Sequence, residues 1–218
     1  MEVRNKSMKR ILSIILAVLL VSSFAACGEN AKAEEKGTET AAEKQNEAGE
    51  PGSEMPDPAA HSDILVAYFS ATGTTKGVAE KIASVTGGDL YEILPAEPYS
   101  DDDLNYNDSS SRATKEQNDK AFRPEIGSEE ISLDGYTTLY LGFPIWWGEE
   151  PRIMDAFVEK YSFEGITVIP FCTSGSSGIG SSGSNMEALA GSGTWLEGER
   201  FGGSVSKEDL QSWIAGLK

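Results

Sequence analysis

Histidine is almost absent from this chain of 218 residues: the one copy is His61, in a stretch with no core-forming pattern. A Ser-His-Asp or Cys-His site inside a folded domain is therefore excluded, and so are histidine-rich metal centres. Cysteine is nearly as scarce, and Cys27 and Cys172 alone make neither a zinc site nor a disulfide framework. Basic residues number 18 against 35 acidic ones, a formal charge of -17. That balance excludes a nucleic-acid surface, which needs a basic patch. No apolar run reaches the roughly 20 residues of a comfortable transmembrane helix. An acidic, glycine-rich chain remains, one whose chemistry a cofactor could supply.

The first 62 residues carry targeting rather than fold. Lys9 and Arg10 precede an apolar run over 11–21, followed by the small residues that end at Ala26. A basic start, a short apolar core and a small-residue cleavage point describe a secretory leader over 1–26. Phe24-Ala25-Ala26-Cys27-Gly28 resembles the lipobox of bacterial lipoproteins, with Phe24 where leucine is usual. The resemblance implies a lipid on Cys27, and an extracytoplasmic domain of the cell envelope anchored to the membrane; cleavage after Ala26 with an unmodified Cys27 is the alternative. Met8 serves as well as Met1 for a start. Residues 27–62 have nine acids against three lysines and no aromatic residue. Such a stretch cannot bury enough surface to offset chain entropy, so a disordered acidic tether is expected.

From residue 63 onwards strand and helix patterns alternate. Residues 64–69 (ILVAYF) read as a strand; Val78, Ile82 and Val85 then recur at helical spacing until Gly87-Gly88. A second strand is expected over 90–94, and a long polar segment over 95–132 with a helix near 111–122. A third strand follows over 136–143, a helix over 151–161 with Pro151 in its first turn, and a fourth strand over 166–171. A short helix at 185–190, a fifth strand over 195–201 and a last helix capped by Ser206 complete the order. Such alternation predicts one α/β domain over 63–218: a doubly wound sandwich around a five-stranded parallel sheet of order 2-1-3-4-5. Its ligand crevice lies at the carboxyl ends of strands one and three.

Three loops reach that end of the sheet. Ser70-Ala71-Thr72-Gly73-Thr74-Thr75 offers hydroxyls, a flexible backbone and a helix N-terminus, an anion cradle without the lysine of a nucleotide P-loop. Its bland alternative is a turn that merely caps the helix. In Pro144-Ile145-Trp146-Trp147-Gly148 the two tryptophans cannot enter the same packed layer, so one is expected near the surface. Thr173-Ser174-Gly175-Ser176-Ser177-Gly178-Ile179-Gly180 lets backbone amides approach a ligand edge, a plain flexible loop being its alternative. Cys172 is expected as a small buried residue; Asp134, Asp155 and Glu159 are expected as solvated surface.

In order and spacing, the first loop, the Gly142-to-Gly148 segment and Phe171-Cys172-Thr173-Ser174-Gly175 together resemble the flavodoxin superfamily, in particular its members with a P-I-W-W-G signature. The resemblance covers 63–218. It implies non-covalent FMN with its phosphate on Ser70, Thr72, Gly73, Thr74 and Thr75. The isoalloxazine ring would be flanked by Pro144, Ile145, Trp146, Trp147 and Gly148, and its polar edge closed by Thr173, Ser174, Gly175, Ser176 and Gly178. Many flavodoxins bring an aromatic residue from the third loop onto the second ring face. Here Tyr106, or another residue of 95–132, is the candidate for that face.

The expected activity is electron transfer, to and from a redox partner protein with a basic surface. The domain alone carries -14 once the leader's +3 and the tether's -6 are removed, a field that steers basic partners and lowers the potential of the last electron. A carbonyl of the Trp146-Trp147-Gly148 turn is free to rotate toward the ring at Gly148. An FMN-dependent NAD(P)H:quinone-type oxidoreductase is the first alternative, and a flavin-free binding lipoprotein the second.

Overall fold

The computed structural model describes residues 62–217; the expected leader, Cys27 and the tether up to residue 61 lie outside the described residues. The chain runs β1 (Ile64–Tyr68), α1 (Thr74–Thr86), β2 (Asp89–Glu92), α2 (Arg112–Asn118), β3 (Thr138–Pro144) and α3 (Arg152–Lys160). It continues with β4 (Thr167–Thr173), α4 (Ser182–Ala190), β5 (Thr194–Trp195), β6 (Glu199–Phe201) and α5 (Lys207–Gly216). The sheet order is β2-β1-β3-β4-β5, all pairs parallel, with β6 also on β4. This is the expected doubly wound α/β order.

Period-two alternation sends the strand side chains to two separate cores. Leu65, Ala67, Leu139, Leu141, Phe143 and Val168 face α3, where Ile153, Met154, Phe157 and Val158 are fully buried. Val66, Tyr68, Tyr140, Ile169 and Phe171 face α1 and α5. With both faces covered, the central strands β1, β3 and β4 are largely apolar along their length, which is why they read as near-continuous runs.

The fifth strand departs from expectation. Instead of one strand over 195–201, β5 pairs through Trp195 with Val168, and β6 pairs through Glu199 with Phe171. Three residues on one side thus oppose two on β4. Val168 turns its carbonyl to Leu196 N at 2.9 Å, so Pro170, two residues on, turns the same way and has no N–H to offer. The ladder breaks where that donor is missing. Gly198 fills the gap because a Cβ there would stand 2.7 Å from the Pro170 carbonyl oxygen. Pro151 also differs, sitting at the N-cap of α3 rather than in its first turn.

α5 starts as expected: Asp209 N donates to Ser206 Oγ at 3.0 Å. Among the described residues no helix is long and apolar enough to cross a membrane.

Gly142 in β3 leaves room for the Phe171 ring, whose Cζ would stand 2.2 Å from an added Cβ. Gly142→Ala is expected to destabilise the domain by about 1–3 kcal/mol through overpacking, read as a lower urea midpoint at unchanged slope.

Candidate functional site

The carboxyl ends of β1, β3 and β4 meet at a cavity of ≈ 400 Å³. Ser70, Thr72, Thr74 and Thr75 of the first loop line it, with Ala71; the second loop gives Pro144, Ile145 and Trp146, and the third Thr173, Ser174 and Gly175. Gly73, Trp147, Gly148, Ser176 and Gly178 lie outside that lining. The loops are tied to each other: the Thr75 and Thr173 hydroxyls are 2.8 Å apart, and Ile145 N donates to the Thr173 carbonyl at 3.0 Å.

The floor of the cavity is polar and under-satisfied. Gly73 stands at the N-cap of α1 with φ +84 and no side-chain cap, so the first-turn amides keep their donors for something else. Ser70 Oγ is buried and has no hydrogen-bond partner. A buried hydroxyl without a partner costs about 1–3 kcal/mol. Hydroxyls, bare amides and a helix dipole at one spot make an anion site that uses no cation.

The walls are aromatic. Trp146 is 5% exposed and packs edge-on against Phe69 (5.5 Å) and Tyr99 (5.1 Å). Trp147 is 39% exposed and stacks on Tyr106, with ring centroids 4.2 Å apart and planes at 26°. The two tryptophans part company as the sequence demanded. A two-residue turn sends Trp147 outward: Trp147 has φ +50 and Gly148 φ +86, and Trp146 and Glu149 close the turn with reciprocal backbone bonds of 2.9 and 3.0 Å. Positive φ at both central residues is the type I′ arrangement. For Gly148 it is free; for Trp147 it stores about 1–2 kcal/mol of strain.

Among the described residues 63–217 match the family model described as flavodoxin. The chain belongs to the flavodoxin family. Solved structures agree: two Bacteroides proteins, each provisionally named a flavoprotein, are 42% identical. The one from Bacteroides eggerthii matches with TM-score 0.66, covering 71% of this chain and 98% of its own. The one from Bacteroides uniformis gives 0.68, with 71% and 99% covered. A Lactobacillus acidophilus flavoprotein solved in complex with FMN shares the fold at 22% identity and TM-score 0.54, with 69% and 97% covered. No match was found among curated proteins.

This flavodoxin domain holds features that the loops alone did not announce. Gly203, after β6, brings a fourth loop to the cavity, and Leu104 and Tyr106 bring in the long segment before α2. Arg200 braces the third loop, its Nη2 donating to the Gly175 carbonyl at 3.0 Å and its Nε to Ser174 Oγ at 3.3 Å. Arg200 lies within, and Gly203 just after, a stretch that reads as one strand in sequence but is two. Cys172 is fully buried, as expected, and burial pushes its thiol up to about 12, leaving no thiolate for redox exchange.

Asp155 corrects the expectation of a solvated acid: it is 1% exposed. Its Oδ2 accepts from Arg152 Nη1 at 2.8 Å and lies 3.7 Å from Arg123. Glu159, which accepts two bonds from Arg123, is part of the same network. Glu150, 1% exposed, takes Asn185 Nδ2 at 3.2 Å. Burial raises the carboxyls of both Glu150 and Asp155; hydrogen bonds from Arg152 and Lys120 lower that of Glu149. Among the described residues no acidic, cysteine or histidine cluster suits a metal ion.

A raised carboxyl favours the folded state at low pH and loses that advantage as pH rises through its folded value. Glu150→Gln is therefore expected to raise the melting temperature at pH 8, with the gain shrinking toward the ordinary glutamate value of 4.5. Thermal melts of both proteins across pH 4.5–8, a range that spans the ordinary carboxylate values upward, would check it; an equal gain at every pH would refute the burial cost.

Proposed function

We propose that the domain binds FMN without a covalent bond and works as an electron carrier, held at the extracytoplasmic face of a bacterial membrane by a lipid on Cys27. In this reading residues 1–26 are the leader, 27–62 the tether and 63–218 the working domain. The observation that carries the FMN assignment is the unpartnered Ser70 hydroxyl at the uncapped N-terminus of α1, on the floor of a cavity walled by Trp146. A phosphate monoester supplies the missing acceptor, and a planar ring suits the aromatic wall. Family membership and the FMN-bound Lactobacillus fold point the same way.

Each residue's part follows from its place. Ser70, Thr72, Thr74 and Thr75 hold the phosphate by hydroxyl and amide donation, with Gly73 letting the backbone turn close to it. Pro144, Ile145 and Trp146 line the ring's inner side, with the Trp147–Gly148 turn at its margin, and Tyr106 is the aromatic residue nearest the outer face. Thr173, Ser174 and Gly175 border the polar edge, with Ser176 and Gly178 beyond them on the rim. FMN, when bound, supplies reversible electron transfer. The chain's contribution is to bind, orient and exclude water: the cavity wall has hydroxyl, aliphatic and aromatic side chains, and Tyr106, a phenol that partial burial pushes further up from its ordinary value, is its one ionisable group. The lining has no carboxyl, imidazole or amine to relay protons to the ring, which supports a carrier over an NAD(P)H:quinone-type reductase. The acidic surface fits a partner protein with a basic face.

Titration of the purified protein with FMN is expected to quench flavin fluorescence stoichiometrically, and Thr75→Val is expected to weaken binding about tenfold, one charged hydrogen bond's worth. Stepwise reduction of the complex is expected to give two resolved one-electron potentials and no direct oxidation of NAD(P)H. Rapid NAD(P)H oxidation would establish the reductase, and refusal of FMN a flavin-free binding lipoprotein. Cys27→Ser is expected to release the protein from membranes, read by fractionation.

A further inference from the structure

Behind the Trp147–Gly148 turn lies a charge cluster that a small domain does not need for stability. Arg152, 4% exposed, stands at the first position of α3. Its guanidinium donates from Nη2 to Glu149 Oε2 at 2.5 Å and from Nη1 to Asp155 Oδ2 at 2.8 Å, and lies 3.8 Å from Glu150. Replacing such a buried ionic group by apolar side chains is often neutral or stabilising, so its retention calls for another reason.

The turn supplies one. Trp146, on its incoming side, is fixed by packing against Phe69 and Tyr99. The outgoing side, Glu149 and Glu150, has no apolar side chain; beyond the two backbone bonds that tie Glu149 to Trp146, polar side chains fix it. Glu149 takes Arg152 and, at 3.1 Å, Lys120; the Glu150 carbonyl takes Gln117 Nε2 at 3.0 Å. Between the two sides sits Trp147 at φ +50. A bulky residue persists in that region only where its surroundings over-determine the backbone.

We propose that Arg152 and Glu149 form a clamp that holds the Trp147–Gly148 turn in its left-handed form, and so sets where Trp147 stacks on Tyr106, a residue of the cavity lining. They are positioning residues that touch no ligand. Without the Glu149 carboxylate, and so without its Arg152 bond, the outgoing side keeps only its backbone bonds to Trp146 and the Gln117 and Asn185 bonds to Glu150, too few to hold a bulky residue at positive φ. Trp147 then relaxes and its stack on Tyr106 is lost. The effect on the cofactor rests on the FMN reading above; the effect on the turn does not.

Two readouts on the purified protein separate these. In the ligand-free state, near-ultraviolet circular dichroism reports the Tyr106–Trp147 stack, defined as the difference between wild type and Tyr106→Leu. Glu149→Ala is expected to remove that difference, while Glu149→Gln, which keeps an acceptor for Arg152, is expected to retain it. With FMN, Glu149→Ala is expected to weaken binding at least about tenfold and Glu149→Gln less than about threefold. Lys160→Ala, which breaks the exposed pair with Glu130, controls for loss of an ordinary ion pair and is expected to change neither. A stack signal in Glu149→Ala equal to wild type would overturn the clamp, whatever the flavin does. Failure of wild type to bind FMN would overturn the functional reading and leave the dichroism arm to decide the clamp.

Discussion

Parallel pairing of β1 with β2 on one side and β3 on the other is the constraint from which the site follows. The chain leaves β1 by α1 across one face and leaves β3 by α3 across the other, so the two connections diverge at the carboxyl ends of neighbouring strands. A crevice must open there, and the three loops that follow β1, β3 and β4 start from strands buried on both faces. The rigid sheet thus sets the positions of Ser70, Pro144 and Thr173, and only the loop chemistry is left to choose the ligand.

That chemistry leaves bonds unmade. The N-terminus of α1 has no side-chain cap and Ser70 Oγ has no partner, costs that a ligand anion would relieve. On the opposite rim a tryptophan is held in a strained conformation and an arginine is buried among three acids. Departures from the rules of capping, backbone preference and charge burial thus meet at one end of the molecule. Concentrated departures of this kind mark the part of a fold that serves function.

Much of this was legible in the residues themselves. β1, β3 and β4 are near-continuous apolar runs because both their faces are covered, and the hydroxyl loop after β1 was readable because its chemistry lies in consecutive residues. The divergence of Trp146 and Trp147 followed from packing alone. What escaped depends on contacts far apart in sequence. The split of β5 from β6 comes from a missing N–H on Pro170 of the neighbouring strand, and within residues 195–201 Gly198 is its local trace. Asp155 looked solvated because its partners Arg123 and Arg152 are brought to it by the fold, and one of them lies over thirty residues away. Leu104 and Gly203 carry no local pattern at all; only the closure of the crevice shows that they line it.

The central claim is that the hydroxyl-and-amide floor at the start of α1 recognises a phosphate. Isothermal titration of the protein with FMN and with riboflavin, which differ by that phosphate alone, tests it most directly. The account expects FMN to bind at least about a hundredfold more tightly, the worth of two charge-assisted hydrogen bonds. Equal affinity for the two would contradict it, and would place whatever binding occurs on the aromatic wall alone.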